Sequence, residues 1–192
     1  KMGTTRSGNT VHLPMMLNKC AGTRFEIIPG YGGTSRIRLA IQSREVDGGC
    51  WSWESMRTTA RTMLDAKGGD ELIPFIIHKN WNEPEVKDIA QFTEVIKDSD
   101  NLRAYTTWNA PNEFARPFSL PPGAPNDRLE VLRDAFAATM KDPEFIADAK
   151  KSKLDLAYTS AAEIEKQVEL IYSMPSKVKE NLQFLMRKPT TS

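Results

Sequence analysis

Two stretches of this chain place glycine, hydroxyl side chains and the start of a helix side by side. Residues 3–10 read GTTRSGNT and residues 29–34 read PGYGGT. Backbone N–H groups in such loops, helped by the positive end of the helix that follows, favour a bound anion. In either place the alternative is a plain strand-to-helix turn, where glycine only relieves backbone strain. Arg6, in the first loop, could hold a carboxylate through a bidentate fork, or could simply be a solvated loop charge. The second loop is not a phosphate-binding P-loop, because no Gly-Lys-Ser/Thr follows, nor a dinucleotide fingerprint, because the G-x-G-x-x-G spacing is absent.

The elements around the second loop must position it. Residues 25–28 form a short apolar run suited to a strand. Thr34 or Ser35 can cap a helix, and Ile37, Ala40 and Ile41 fall at helical spacing. Residues 46–51 begin a second strand. Strand, helix and strand make a βαβ unit of a parallel sheet, whose ligands sit beyond the carboxyl ends of the strands. The first loop has the same design. It opens a helix over 11–20, with Asn9 or Thr10 as cap, Leu13, Met16, Leu17 and Cys20 as the apolar face, Pro14 in the first turn and Gly22 as terminator. Two such loops at neighbouring strand ends could converge on one ligand.

Bulk properties bound the reading. The chain has 192 residues, 40% hydrophobic and 27% charged, and a net charge of +1. That is an ordinary globular composition, with no excess charge to attract nucleic acid or an anionic membrane. No apolar run approaches the roughly 20 residues of a membrane span. Cys20 and Cys50 lack metal-ligand spacing and are open to reading as buried thiols or as a disulfide. The opening residues carry no signal region and enter a polar loop at once, which predicts that the chain starts inside a longer protein.

Farther on, Trp51 and Trp53 alternate, so a continuing strand would point them to opposite faces, and one could wall a cleft. A helix then runs to about residue 67 on Met56, Ala60, Met63 and Leu64. Residues 72–77, LIPFII, suggest a buried strand, with Pro74 marking an edge or a start. Residues 80–84 read as a turn, 88–97 as a short helix and 102–108 as another. Five prolines make 110–125 an extended connector, with 118–120 a strand within it. Beyond it the chain reads as helical. Leu129, Leu132, Phe136 and Met140 form one stripe, and a second helix spans 144–153 with Phe145, Ile146 and Ala149 inward. A short strand follows at 154–158. Ser160 and Glu163 form a capping box for the next helix, and Pro175 starts a last one with Val178, Leu182 and Leu185 inward. Residues 189–192 are a tail.

These residues resemble the substrate-binding receptors of tripartite tricarboxylate transporters. GYGGTSRIRLAIQSREVDG is similar to that family's glycine loop, helix and closing E-V-D turn. ARPFSLPPGAPNDRLEVLRDAFAATMKDPEFIADAKK is similar to its extended proline linker, following helix and D-P-E-F helix start, and is the more specific signal. The resemblance implies an α/β fold, a lobe like those of type II periplasmic binding proteins, with a mainly parallel sheet flanked by helices. Residues 1–109 would be the second ligand-binding lobe, 110–125 the crossing segment, and 126–192 helices that return to a first lobe largely absent from this chain. It further implies a non-catalytic periplasmic receptor without metal or cofactor. Ligand contacts carry over to Thr4, Thr5, Ser7, Gly8, Asn9 and Thr10 in the first loop and to Tyr31, Gly32, Gly33 and Thr34 in the second. Asp47, at the E-V-D position, and Trp51 complete the set, with tying a turn as the other role for Asp47. Trp51 and Trp53 replace less bulky residues common in the family, which bears on pocket shape. The expected partners are a small organic anion, the permease subunits in the membrane and, for the shortened chain, a second copy of itself. Nucleic acid is not among them.

Two other classes compete. One is a small α/β hydrolase-like enzyme using His78, Asp47 or Cys50. No nucleophile elbow or Ser/His/Asp order can be assembled for it, and both histidines, His12 and His78, read as ordinary polar positions. The other is an interaction domain whose glycine loops are only turns.

Overall fold

The computed structural model describes residues 1–69, 71–78, 84–113, 117–152, 154 and 156–187. The chain divides into two units, Lys1–Thr106 with Pro175–Ser192, and Thr107–Met174. The first is α/β. Its elements run β1 (Met2–Thr4), α1 (Asn9–Cys20), β2 (Ile27–Pro29), α2 (Thr34–Gln42), β3 (Gly48–Gly49), α3 (Trp53–Thr59), α4 (Arg61–Leu64), α5 (Phe92–Val95) and α6 (Ser99–Asn109), the last ending past the boundary, and it closes with α10 (Ser176–Met186).

The three strands form a small open parallel sheet in the order β2-β1-β3. Met2 stands opposite both Ile27 and Gly48, and Gly3 opposite Ile28 and Gly49. The βαβ reading of residues 25–53 therefore appears in the fold, with shorter strands. The expected first strand sits at 27–29, and the second is only two residues long. The strand ahead of the first loop is β1 itself.

The pleat sends neighbouring residues to opposite faces. Gly3 and Gly49 look towards α2. A Cβ at Gly49 would lie 2.6 Å from Ile37 Cγ2 and 2.9 Å from Trp51 Cζ3. One at Gly3 would lie 3.1–3.2 Å from Val46, Ile37 and Tyr31. Ile37 is fully buried in the space these glycines leave. Met2 and Thr4 look the other way, to the side that right-handed crossovers leave for α1. There Val11, Met15, Met16 and Leu17 are buried.

The last helix closes this unit, as α10 packs on α1. Val178 and Leu185 are buried, and Lys19 Nζ donates to the carbonyls of Phe184, Leu185 and Arg187. These carbonyls lie at the end of α10, where the helix runs out of amides to meet them all; that of Phe184 also accepts the Arg187 N–H at 3.2 Å. Lys19 also stands 4.7 Å from the Phe184 ring centroid. Asn181 donates to Asn101 at 2.9 Å, and Lys177 pairs with Asp100 at 2.8 Å. The expected segment 126–192 thus divides, and its last helix belongs with the α/β unit because these contacts hold it there.

Other expectations change locally. Neither Asn9 nor Thr10 caps α1, and neither Thr34 nor Ser35 caps α2. The carbonyls of Gly8 and Gly33 accept the first-turn amides instead, without side-chain caps. Pro14 stands in the second turn of α1, buried, and not in the first. Trp53 opens α3 and is buried, because Ser52 accepts the Ser55 N–H at 3.3 Å and turns the chain into a helix. The helix expected up to residue 67 breaks at Ala60. Residues 72–77 stay outside the sheet. Ile73 and Phe75 are exposed, and among the described residues the run's one β-bridge is an isolated one from Ile77 to Gln91. Pro74 removes an N–H that pairing would need. The helix expected over 88–97 is one turn, α5, whose Phe92 stacks on Tyr105 at 4.2 Å. The turn expected at 80–84 lies outside the described residues apart from Pro84, and so does the tail at 189–192.

The second unit is helical: a 3-10 turn (Ala110–Glu113), α7 (Asn126–Thr139), α8 (Pro143–Lys151) and α9 (Ala161–Tyr172). The capping box expected for α9 forms from Ser160 and Glu163, and Asp142 accepts the Phe145 N–H at 2.8 Å. Neither Asn126 nor Asp127, the residues suited to cap α7, does so: α7 starts after Pro125 without a side-chain cap. Arg133 ties α7 to α9 through Glu165 at 2.5 Å. Phe136 packs between Phe118 and Tyr158. The described residues at 118–120 and 154–158 form no strand. The apolar stripe of α7 is not buried, and in α8 only Ala149 is. Among the described residues of this unit no sheet lies over them.

Two measurements check this account. Gly49→Ala should lower the stability of the α/β unit by about 1–3 kcal/mol, the usual cost of overpacking, read as an earlier denaturant midpoint at unchanged slope. Lys19→Met should speed amide exchange in the last turn of α10 roughly fivefold, for about 1 kcal/mol of lost hydrogen bonding. The Lys177 ammonium holds the Asp100 carboxyl below its usual range. That pair's contribution is therefore present above the ordinary carboxylate pKa and is lost as pH falls through the lowered one, so the protection factors of α10 amides, taken relative to the intrinsic rate at each pH, should fall in acid.

Candidate functional site

The two polar loops share the carboxyl edge of the sheet. Residues 5–8 leave β1, residues 30–33 leave β2, and adjacent strands lie about 4.8 Å apart. The Tyr31 N–H donates to the Thr4 carbonyl at 3.2 Å, which ties one loop to the root of the other. Two backbone conformations shape them. Gly8 has φ 88° and Gly30 has φ 111°, where a side chain would be strained. Each loop delivers the chain into a helix whose first N–H groups have no carbonyl inside the helix to meet.

The first loop closes on itself. The Thr5 N–H donates to Thr10 Oγ1 at 3.1 Å, the two threonine hydroxyls bond to each other, and Thr5 Oγ1 donates to the Ser7 carbonyl at 2.7 Å. With Thr5 donating to Ser7, Thr10 must be the donor to Thr5. Both hydroxyl hydrogens are then used within the loop, and a carboxylate needs donors. Thr4 is fully buried, its hydroxyl enclosed without a partner. Ser7, Gly8 and Asn9 are exposed, as is Arg6.

In the second loop Gly32 is exposed, and Gly33 and Thr34 are partly so. The Tyr31 ring covers Gly3, and its hydroxyl donates to Glu45 Oε1 at 2.6 Å. Accepting that bond, the Glu45 carboxylate holds the phenol above its ordinary pKa. Tyr31 therefore belongs to the face that carries α2. There Tyr31, Arg36, Leu39, Ala40, Ser43 and Glu45 line a shallow concavity of about 400 Å³, which includes no residue of the first loop.

Asp47 lies at the other end of the sheet. It precedes β3, where the Lys1 carbonyl accepts the N–H groups of Asp47 and Gly48 at 3.0 and 3.2 Å. Its carboxylate meets the Lys1 α-amino group at 2.5 Å, and that bond holds its pKa below the usual range. The structure does not bring Asp47 together with the two loops: a strand length separates them. Its surroundings are those of a turn tie.

Trp51 is at the same edge as the loops, just beyond β3. Its ring packs against the bare Gly49, and its indole N–H is enclosed without a partner. A third junction of strand and helix therefore stands beside the first loop, from Cys50 to the Ser52 cap of α3. The alternating tryptophans read as a longer strand and hid it. Ser52 ahead of Trp53-Glu54 was the signal for a cap.

Of the three groups of the enzymatic alternative, two are placed beside β3. Asp47 and Cys50 flank opposite ends of β3. Both cysteines are free thiols, and burial pushes Cys50 up to about 12. Among the described residues no group of three or more His, Cys, Asp and Glu could hold a metal ion, and no helix is long and apolar enough to cross a membrane.

The thiolate is the reactive form of cysteine, so Cys50 should resist alkylation in the folded protein at pH 8 and react promptly once unfolded. Peptide mass mapping after a timed iodoacetamide pulse reads this directly. Prompt labelling of Cys50 in the native state would contradict its enclosure. Comparison with known proteins places the chain beside none of them: no family model matches it, and no similar curated protein or solved structure was found.

Proposed function

We propose that this chain is an extracytoplasmic solute receptor, or part of one, that captures a small organic carboxylate without transforming it. The observation that carries the reading is the pairing of two glycine-containing loops on adjacent parallel strands, each leading into a helix start at one edge of the sheet. Helix N-termini of this kind favour anions through oriented amides. Open α/β sheets bind ligands at the carboxyl edge where successive crossovers diverge. In the order β2-β1-β3 that point is between β1 and β3, beside the loop 5–8 and Trp51.

With the Thr5 and Thr10 hydrogens engaged, recognition falls to backbone N–H groups near Gly8 and Gly33 and to the hydroxyls of Ser7 and Thr34. The finer assignment follows from the resemblance of the glycine loop and the proline linker to receptors of tripartite tricarboxylate transporters. On that reading the α/β unit is a type II-like lobe, the compartment is the periplasm, and the partner is a membrane permease that accepts the ligand-loaded form after hinge closure.

Calorimetry against a panel of dicarboxylates and aromatic acids tests the reading. A saturable heat is expected, and no heat from any of them would overturn it. Thr34→Asp locates the site. An acid in the first turn of α2 suits the helix dipole, so the melting temperature should hold or rise slightly. The same charge would repel a bound carboxylate, so affinity should fall at least tenfold. Unchanged affinity would remove the α2 start from the site.

A further inference from the structure

We draw no further inference here: the strongest candidate, the apolar surface that α7, α8 and α9 leave exposed in the unit Thr107–Met174, with Val131, Ile146, Leu170 and Tyr172 among its residues, carries nothing because nothing in the structure shows what covers it.

Discussion

The closeness of α2 to the sheet governs the architecture of the carboxyl edge. Ile37 occupies the volume that side chains at residues 3 and 49 would fill. That contact fixes the height of α2 above the strands and so the place where its first amides emerge. It also sets the room for two aromatic rings, Tyr31 over Gly3 and Trp51 against Gly49. Interiors are packed tightly enough that one added methyl group cannot be absorbed without movement. The glycines of this sheet are therefore spacing elements, distinct in purpose from Gly8 and Gly30, which set the path of the backbone.

Polar groups at that edge divide into two kinds. The hydroxyls of Thr5 and Thr10 are consumed in holding the shape of the first loop. The helix-start amides are left outward by the geometry of the helix itself. A loop braced by its own side chains and lined by backbone donors loses little freedom on meeting a ligand, which is the benefit of preorganisation. The Tyr31–Glu45 hydrogen bond extends the bracing by fastening the second loop to the turn that ends its own helix.

Much of the α/β unit was legible because its signals are local. Alternation of apolar runs with glycine loops marks the βαβ order, and serine followed three residues later by glutamate marks the start of α9. What was not legible depends on partners distant in the chain. LIPFII has the composition of a buried strand, but a strand also needs a neighbour able to accept its ladder, and Pro74 withholds a donor. The helix caps were assigned to hydroxyl residues by preference, whereas Thr10 turned its oxygen towards Thr5 and left the task to Gly8. The separation of Asp47 from the loops is a matter of which end of a strand it adjoins. Its place beside the glycine helix in sequence gives no hint of that. The stripe of α7 is periodic, yet periodicity states only that a face is apolar, not that something lies on it.

The docking of α10 on α1 has a consequence for how the molecule comes into being. Lys19 meets a carbonyl 165 positions later in the chain. The entropy of closing so long a loop rises only logarithmically, so the finished state tolerates it well. Time is a different matter. During synthesis the side of α1 that α10 covers emerges early and waits until residues 176–186 have left the ribosome. The α/β unit therefore completes its packing only once α10 is available, long after its three strands have emerged.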